Sequence, residues 1–187
     1  ATLASAYVLF QFVDKKAEHL VFSTQSGILE VTRNDGLLEM DFPSRPPEQI
    51  EVTELMENAL GVPIMEAHLS RDMILVLQTE KDVYEAVPDL DIVSKIPGCV
   101  NLIITAQGRE ADFVSRYFTP GISIPEDPVT GSAHSSLIPF WAKRLGKEKL
   151  TAHQLSKRGG ILYCQDKGDR VKISGNAILY LAGEIYL

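Results

Sequence analysis

The arrangement of apolar residues and chain breakers predicts an α+β protein. Three observations carry that expectation. Residues up to Phe42 read as one helix followed by a strand meander, a proline run from Pro43 to Pro47 interrupts the pattern, and the rest mixes helices and strands. The regular strand–helix alternation of a doubly wound sheet is missing.

Residues 1–13 are expected to form a helix whose small residues, Ala1, Ala4 and Ser5, admit close backbone approach. Strands are expected at His19–Thr24, Gly27–Arg33 and Leu37–Phe42, supported by alternation such as Ile28, Glu30, Thr32 against Leu29, Val31, Arg33. Asn34-Asp35-Gly36 is a hairpin turn, because Asn, Asp and Gly tolerate positive φ. The segment Pro43-Ser44-Arg45-Pro46-Pro47 reads as a linker or domain crossing. Glu48–Leu60 is expected to be a helix with Ile50, Val52, Leu55, Met56, Ala59 and Leu60 on its apolar face, closed by Gly61. Met73–Thr79 reads as a buried strand and Val83–Ile96 as partly helical. Strands follow at Val100–Ala106 and Asp112–Phe118, then a helix ending at Leu145 before Gly146. The tail is expected to hold strands at Ile161–Gln165, Arg170–Ser174 and Ala177–Leu181.

Composition excludes several classes. Hydrophobic residues make up 45% and charged residues 23%, with a net charge of −7. Lys and Arg are scattered, so there is no basic face for nucleic acid. No apolar run reaches the ~18 residues of a membrane span. Cys99 and Cys164 have no CxxC spacing and read as buried, reduced thiols of a cytoplasmic protein. The four histidines, His19, His68, His134 and His153, show no ligand spacing, so no metal is expected. The opening Ala-Thr-Leu-Ala-Ser-Ala lacks Met and a basic region and is not a signal peptide. A helix that begins uncapped at residue 1 suggests a preceding segment.

The chemistry concentrates in Glu126-Asp127-Pro128-Val129-Thr130-Gly131-Ser132-Ala133-His134. Pro125 and Pro128 keep the chain extended around Glu126 and Asp127. Thr130-Gly131-Ser132 is expected to open a helix. Gly131 admits a ligand close to the backbone, and the free N–H groups of Gly131, Ser132 and Ala133 favour an anion. Ser132 adds a hydroxyl, and Asp127 a carboxylate for proton transfer. The plainer alternative is a capped helix, with Thr130 or Ser132 as the cap and Asp127 against the dipole. His134 reads as packed or solvent-facing rather than catalytic. Ala133, Leu137, Phe140, Trp141 and Leu145 form a core stripe, and Pro139 predicts a kink near Ser135. Serine hydrolysis fits poorly. Gly131-Ser132-Ala133 is not the G-x-S-x-G elbow, and Ser132 cannot pair with His134 two residues on.

The run Asp112–Pro120 leading into Glu126–His134, with Trp141-Ala142, Leu145-Gly146-Lys147 and Ser156-Lys157-Arg158-Gly159-Gly160, resembles the phenazine biosynthesis PhzF-like family, a branch of the diaminopimelate epimerase fold. The opening helix is similar to that family's first central helix, so the resemblance covers the whole chain. It implies two pseudo-symmetric domains, each a curved sheet or barrel around a central helix, with the active site in the cleft between them. The boundaries it implies are residues 1–44 as the remainder of an N-terminally incomplete first domain, with 182–187 as a candidate addition, and residues 45–181 as the second. It implies a homodimer and a cofactor-free isomerisation, a proton shift of the kind performed on a dihydro-hydroxyanthranilate. By motif, Asp127 and Ser132 are the catalytic candidates, and Thr130, Gly131, Ser132 and Ala133 contact a small carboxylate-bearing substrate. Thr130 stands where epimerase relatives carry a cysteine, against a thiol racemase. The family's main acid–base glutamate, and a Gly-His pair before the first helix, match no residue here. A non-catalytic small-molecule-binding or protein-interaction role remains the alternative.

Overall fold

The computed structural model describes residues 2–24 and 27–186. It is an α+β protein, as the pattern predicts, and it divides into two compact units: residues 1–41 with 174–187, and residues 42–173.

In the first unit, α1 (Thr2–Val8) continues as one wider π-helical turn over Leu9–Val13. Its buried residues are Ala6 and Phe10. The meander follows as β1 (His19–Thr24), β2 (Gly27–Asn34) and β3 (Leu37–Pro43), antiparallel throughout. Asp35 and Gly36 both have positive φ, 49° and 81°, which is the backbone that a two-residue hairpin demands. Arg33 donates to the Phe10 carbonyl at 2.6 Å and lies over the Phe10 ring, tying strand to helix. The strand expected at Ala177–Leu181 does not form: these residues pair in no ladder among the described residues, and Ile178, Tyr180 and Leu181 are exposed. Their β-branched and aromatic composition satisfied the strand pattern, but they pair with no strand among the described residues.

The second unit contains β4 (Glu48–Ile50), α2 (Glu54–Leu60), β5 (Ile64–Leu69), β6 (Met73–Leu77), α3 (Glu80–Glu85), α4 (Leu90–Val93), β7 (Leu102–Gln107), β8 (Phe113–Phe118), α5 (His134–Leu145), β9 (Lys149–Gln154), β10 (Gly160–Asp166) and β11 (Arg170–Gly175). Its strands lie in the order β11-β10-β9-β8-β7-β6-β5-β4. Two pairings, β6 with β7 and β8 with β9, are parallel. The helix expected over Glu48–Leu60 is shorter: Glu48–Ile50 pairs antiparallel with β5, and α2 begins only at Glu54. Ile50 and Val52 fit a strand period as well as a helical one. The Thr53 hydroxyl decides the boundary by accepting the Met56 N–H. Strands β5 and β9 lie outside the sequence expectations.

Both faces of the central strands are covered. Met73, Leu75, Leu77, Leu102, Ile104, Ala106, Val114 and Phe118 join Met56, Ala59, Leu60, Val83, Val93 and Ile96 from α2–α4 and the turn after α4 in one core. The alternate residues face α5. Phe113 stacks on Trp141 at 5.8 Å and 7°, and the Trp141 indole N–H donates to Thr105 Oγ1 at 3.0 Å. Helix α5 also meets β5 through Phe140 against His68 and through Arg144, which donates to Glu66 at 2.6 Å. Pro139 deprives the Ser135 carbonyl of its intrahelical donor, and the Arg45 N–H, in the segment before β4, fills that place at 2.9 Å.

Candidate active site

The site is built where β8 hands the chain to α5. After Phe118 the chain makes an exposed loop and returns beside its own strand: Phe118 bridges Glu126, and the Asp127 N–H donates to the Tyr117 carbonyl at 3.0 Å. The Glu126 carboxylate is taken up by an ion pair. Arg116 Nε and Nη2 donate to its two carboxylate oxygens at 2.7 and 3.0 Å, and Nη1 donates to the carbonyls of Val83, Tyr84 and Ala86. That pair clamps the loop to α3 and the chain just after it.

Residues 127–130 are fixed from β9. The buried Gln154 amide donates to the Asp127 carbonyl at 2.7 Å and accepts the Thr130 N–H at 2.7 Å. The Thr130 hydroxyl donates to Asp127 Oδ2 at 2.5 Å, and its carbonyl accepts from His134 Nδ1 at 2.9 Å. Thr130, expected among the substrate contacts, is therefore buried with its polar atoms engaged, and it orients Asp127. Asp127 Oδ1 has no hydrogen-bond partner among the described residues. Ser156 Oγ donates to the Pro128 carbonyl at 2.7 Å, and Gly160 lies so close to Val129 that a Cβ there would sit 2.3 Å from Val129 Cγ2.

Gly131–Ala133 is a single 3-10 turn, and the α-helix starts at His134. Neither Thr130 nor Ser132 caps it: no side-chain cap bond forms at either start. This removes the capped-helix alternative as an account of those hydroxyls. Gly131 and Ser132 are half-buried, whereas Ala133 is buried. Ser132 Oγ accepts from Arg71 Nη2 at 3.2 Å. His134 is fully buried against Phe113, and burial pushes its pKa down to about 4. It is a neutral imidazole whose Nδ1–H holds the Thr130 carbonyl, and its Nε2 has no partner among the described residues.

Sequence reasoning missed the groups across from Ser132. Ser70-Arg71-Asp72 links β5 to β6. Asp72, 4% exposed, accepts from Arg71 on Oδ2 and from Asn101 Nδ2 on Oδ1 at 2.9 Å. The Tyr117 hydroxyl is pushed up to about 12 by burial and by the Asp72 carboxylate. The available signal was an Arg-Asp pair directly ahead of an all-apolar strand, an unusual place for two charges. A cavity of about 470 Å³ opens behind the turn, lined by Glu126, Pro128, Ser156, Lys157 and Arg158.

Both cysteines are free thiols, Cys164 buried and Cys99 partly so, and burial raises both pKa values, Cys99 to about 11. Neither is poised as a thiolate. Among the described residues no group of three or more His, Cys, Asp or Glu could hold a metal ion, and no helix is long and apolar enough to cross a membrane.

The sequence profile described as phenazine biosynthesis-like protein matches residues 1–183. An uncharacterized isomerase of Pseudomonas aeruginosa is 47% identical over 188 residues, covering 100% of this chain and 72% of that protein. The crystal structure of a phenazine biosynthesis protein of the PhzF family from Enterococcus faecalis superposes with a TM-score of 0.96 at 46% identity, over 100% of this chain and 72% of that one. A probable proline racemase from Agrobacterium radiobacter shares the fold at 11% identity and a TM-score of 0.58, over 100% of this chain and 66% of that one.

Proposed function

The chain belongs to the phenazine biosynthesis-like family, and on that premise we propose that it is an isomerase that shifts a proton on a small carboxylate-bearing substrate without a cofactor. The observation that carries the reading is one turn presenting, from a fixed backbone, two groups with hydrogen-bonding capacity to spare: the Asp127 carboxylate and the Ser132 hydroxyl. Curated relatives named as isomerases support the reaction class.

In this reading Asp127 is one acid–base group. Its Oδ1 removes a proton from, or returns it to, a substrate carbon, while Thr130 holds Oδ2 and so fixes the direction of approach. Charge that develops on a substrate oxygen meets the Ser132 O–H, together with the N–H groups at the start of the 3-10 turn, which have no intrahelical acceptor. Gly131 keeps that approach free of a Cβ. The second acid–base group of the family resemblance, a glutamate, matches no residue here, and Glu126 does not replace it because Arg116 occupies both of its oxygens.

The test is deuterium incorporation from D2O into an amino-hydroxy-cyclohexadiene carboxylate, followed by NMR. Asp127→Asn is expected to slow exchange by about 10²–10⁴-fold. Ser132→Ala is expected to slow it by about 10²-fold. Exchange at the wild-type rate in Asp127→Asn removes Asp127 from the mechanism. Binding without any exchange in the wild type favours the non-catalytic binding role instead.

A further inference from the structure

Arg71 is held in a way that leaves part of it idle. Its Nε and Nη2 donate to Asp72 Oδ2 at 3.1 and 2.5 Å. Asp72 is itself fixed by Asn101, so this edge of the guanidinium has one position. The second Nη2 hydrogen has only distant acceptors, the Tyr117 hydroxyl at 3.4 Å and Ser132 Oγ at 3.2 Å. Nη1 has no partner among the described residues, and the side chain is 40% exposed.

Arg116 provides an internal contrast. It too grips a carboxylate with Nε and Nη2, but its Nη1 is spent on carbonyl groups. An arginine needed only to tie two loops together can engage all three guanidinium nitrogens, as that one does. At Arg71 the terminal Nη1 nitrogen has no partner among the described residues, and it belongs to the residue that also reaches Ser132. Because Ser132 Oγ accepts from Arg71, the hydroxyl's own hydrogen is left to donate elsewhere.

We propose that Arg71 is a substrate-binding residue, whose free guanidinium edge takes an oxygen of the substrate carboxylate beside the Ser132 hydroxyl. This rests on the reading of the turn as substrate-binding. An anionic oxygen there replaces two long neutral contacts with shorter charge-assisted bonds, and the planar fork matches a planar carboxylate. Asp72 cancels much of the long-range charge of Arg71, so the gain lies in directed hydrogen bonds. A neutral group of the same shape is therefore discriminated against.

Benzoate and benzamide, titrated against the protein and followed by calorimetry, test this without any turnover. Arg71→Met alone would strand the buried Asp72 charge, so it is made with Asp72→Asn, and Asp72→Asn alone is the control. The wild type is expected to bind benzoate about tenfold or more tightly than benzamide, and the control, which keeps the Arg71 charge but loosens its hold, to retain a preference for benzoate. The double variant is expected to lose the preference. An equal preference in the double variant, or none in the wild type, overturns the assignment. Should the double variant not fold, the ¹⁵N signals of the Arg71 side chain in the wild type serve in its place: benzoate is expected to shift them and benzamide not, and no shift overturns the assignment. Failure here leaves the isomerase reading standing on the Asp127→Asn exchange, which is measured separately.

Discussion

The buried His134 makes the start of α5 acid-sensitive, and the size of the effect can be worked out. Its imidazole is completely buried, its Nδ1–H holds the Thr130 carbonyl, and its Nε2 faces no acceptor or donor. Protonation would place a charge among Phe113 and the helix core, so its pKa falls from 6.5 to about 4. Between these values the unfolded chain binds more protons than the folded one, so stability rises with pH across the window. The contribution is fully present above about 6.5, declines as the pH falls, and is lost by about 4. The gap corresponds to about 3 kcal/mol. Urea unfolding from pH 7 to pH 4 on the wild type and on His134→Asn reads it out. Asn keeps an N–H for the Thr130 carbonyl but cannot titrate. His19, His68, His153 and the carboxylates are common to both proteins and cancel in the difference. The wild type is expected to lose about 3 kcal/mol more than the variant over this range, nearly all of it below pH 6.5. Parallel curves for the two proteins would refute the claim that burial suppresses the charge on His134.

Glu126→Gln is expected to cost about 1–2 kcal/mol in urea unfolding, because one charge-assisted pair weakens while Arg116 keeps its carbonyl partners. Proton exchange in that variant is expected to stay within about tenfold of wild type, and a collapse comparable to that of Asp127→Asn would show that Glu126 carries protons. Gly160→Ala is expected to cost about 1–3 kcal/mol, since the new methyl overlaps Val129 Cγ2 and valine is stiff at χ1. Adding Val129→Ala should restore most of the loss, and a double variant as unstable as Gly160→Ala alone would refute the packing argument.

The elements that sequence pattern located well are those whose signal is local. The meander was legible from alternation and from Asn34-Asp35-Gly36, and α5 from its apolar stripe and Gly146, whose φ of 65° ends the helix. Its Pro139 looked like a flaw, yet the freed Ser135 carbonyl is met by Arg45 from a distant segment, and such a bond leaves no trace in local sequence. The β4–α2 boundary failed because Ile50 and Val52 suit two periods. Strand β9 was missed because its alternation runs only from Lys149 to Ala152 and then meets the polar pair His153-Gln154, although Gln154 is buried. In the site, Asp127, Gly131 and Ser132 were recognisable as a motif. Gln154, Arg71, Asp72 and Asn101 were not, since each acts through a contact dozens of residues away.

That division has a physical basis that bears on function. A helix start selected for stability alone consumes its hydroxyls and carboxylates as caps, because uncapped N–H groups cost about 1 kcal/mol each time a cap is lost. Here the Asp127 N–H, the Asp127 and Pro128 carbonyls and the Thr130 N–H and carbonyl are all tethered by Tyr117, Gln154, Ser156 and His134. The side chains that could cap are turned to other ends. Thr130 positions Asp127, and Ser132 meets Arg71. What remains at this site without a partner among the described residues is Asp127 Oδ1, the Ser132 hydroxyl hydrogen and Arg71 Nη1. These are one proton acceptor and two donors, all carried on backbone that is held from neighbouring strands and loops. A rigid frame around groups of complementary kind with hydrogen-bonding capacity to spare gains nothing for folding, and it is this arrangement that the proposed carboxylate-bearing substrate would complete.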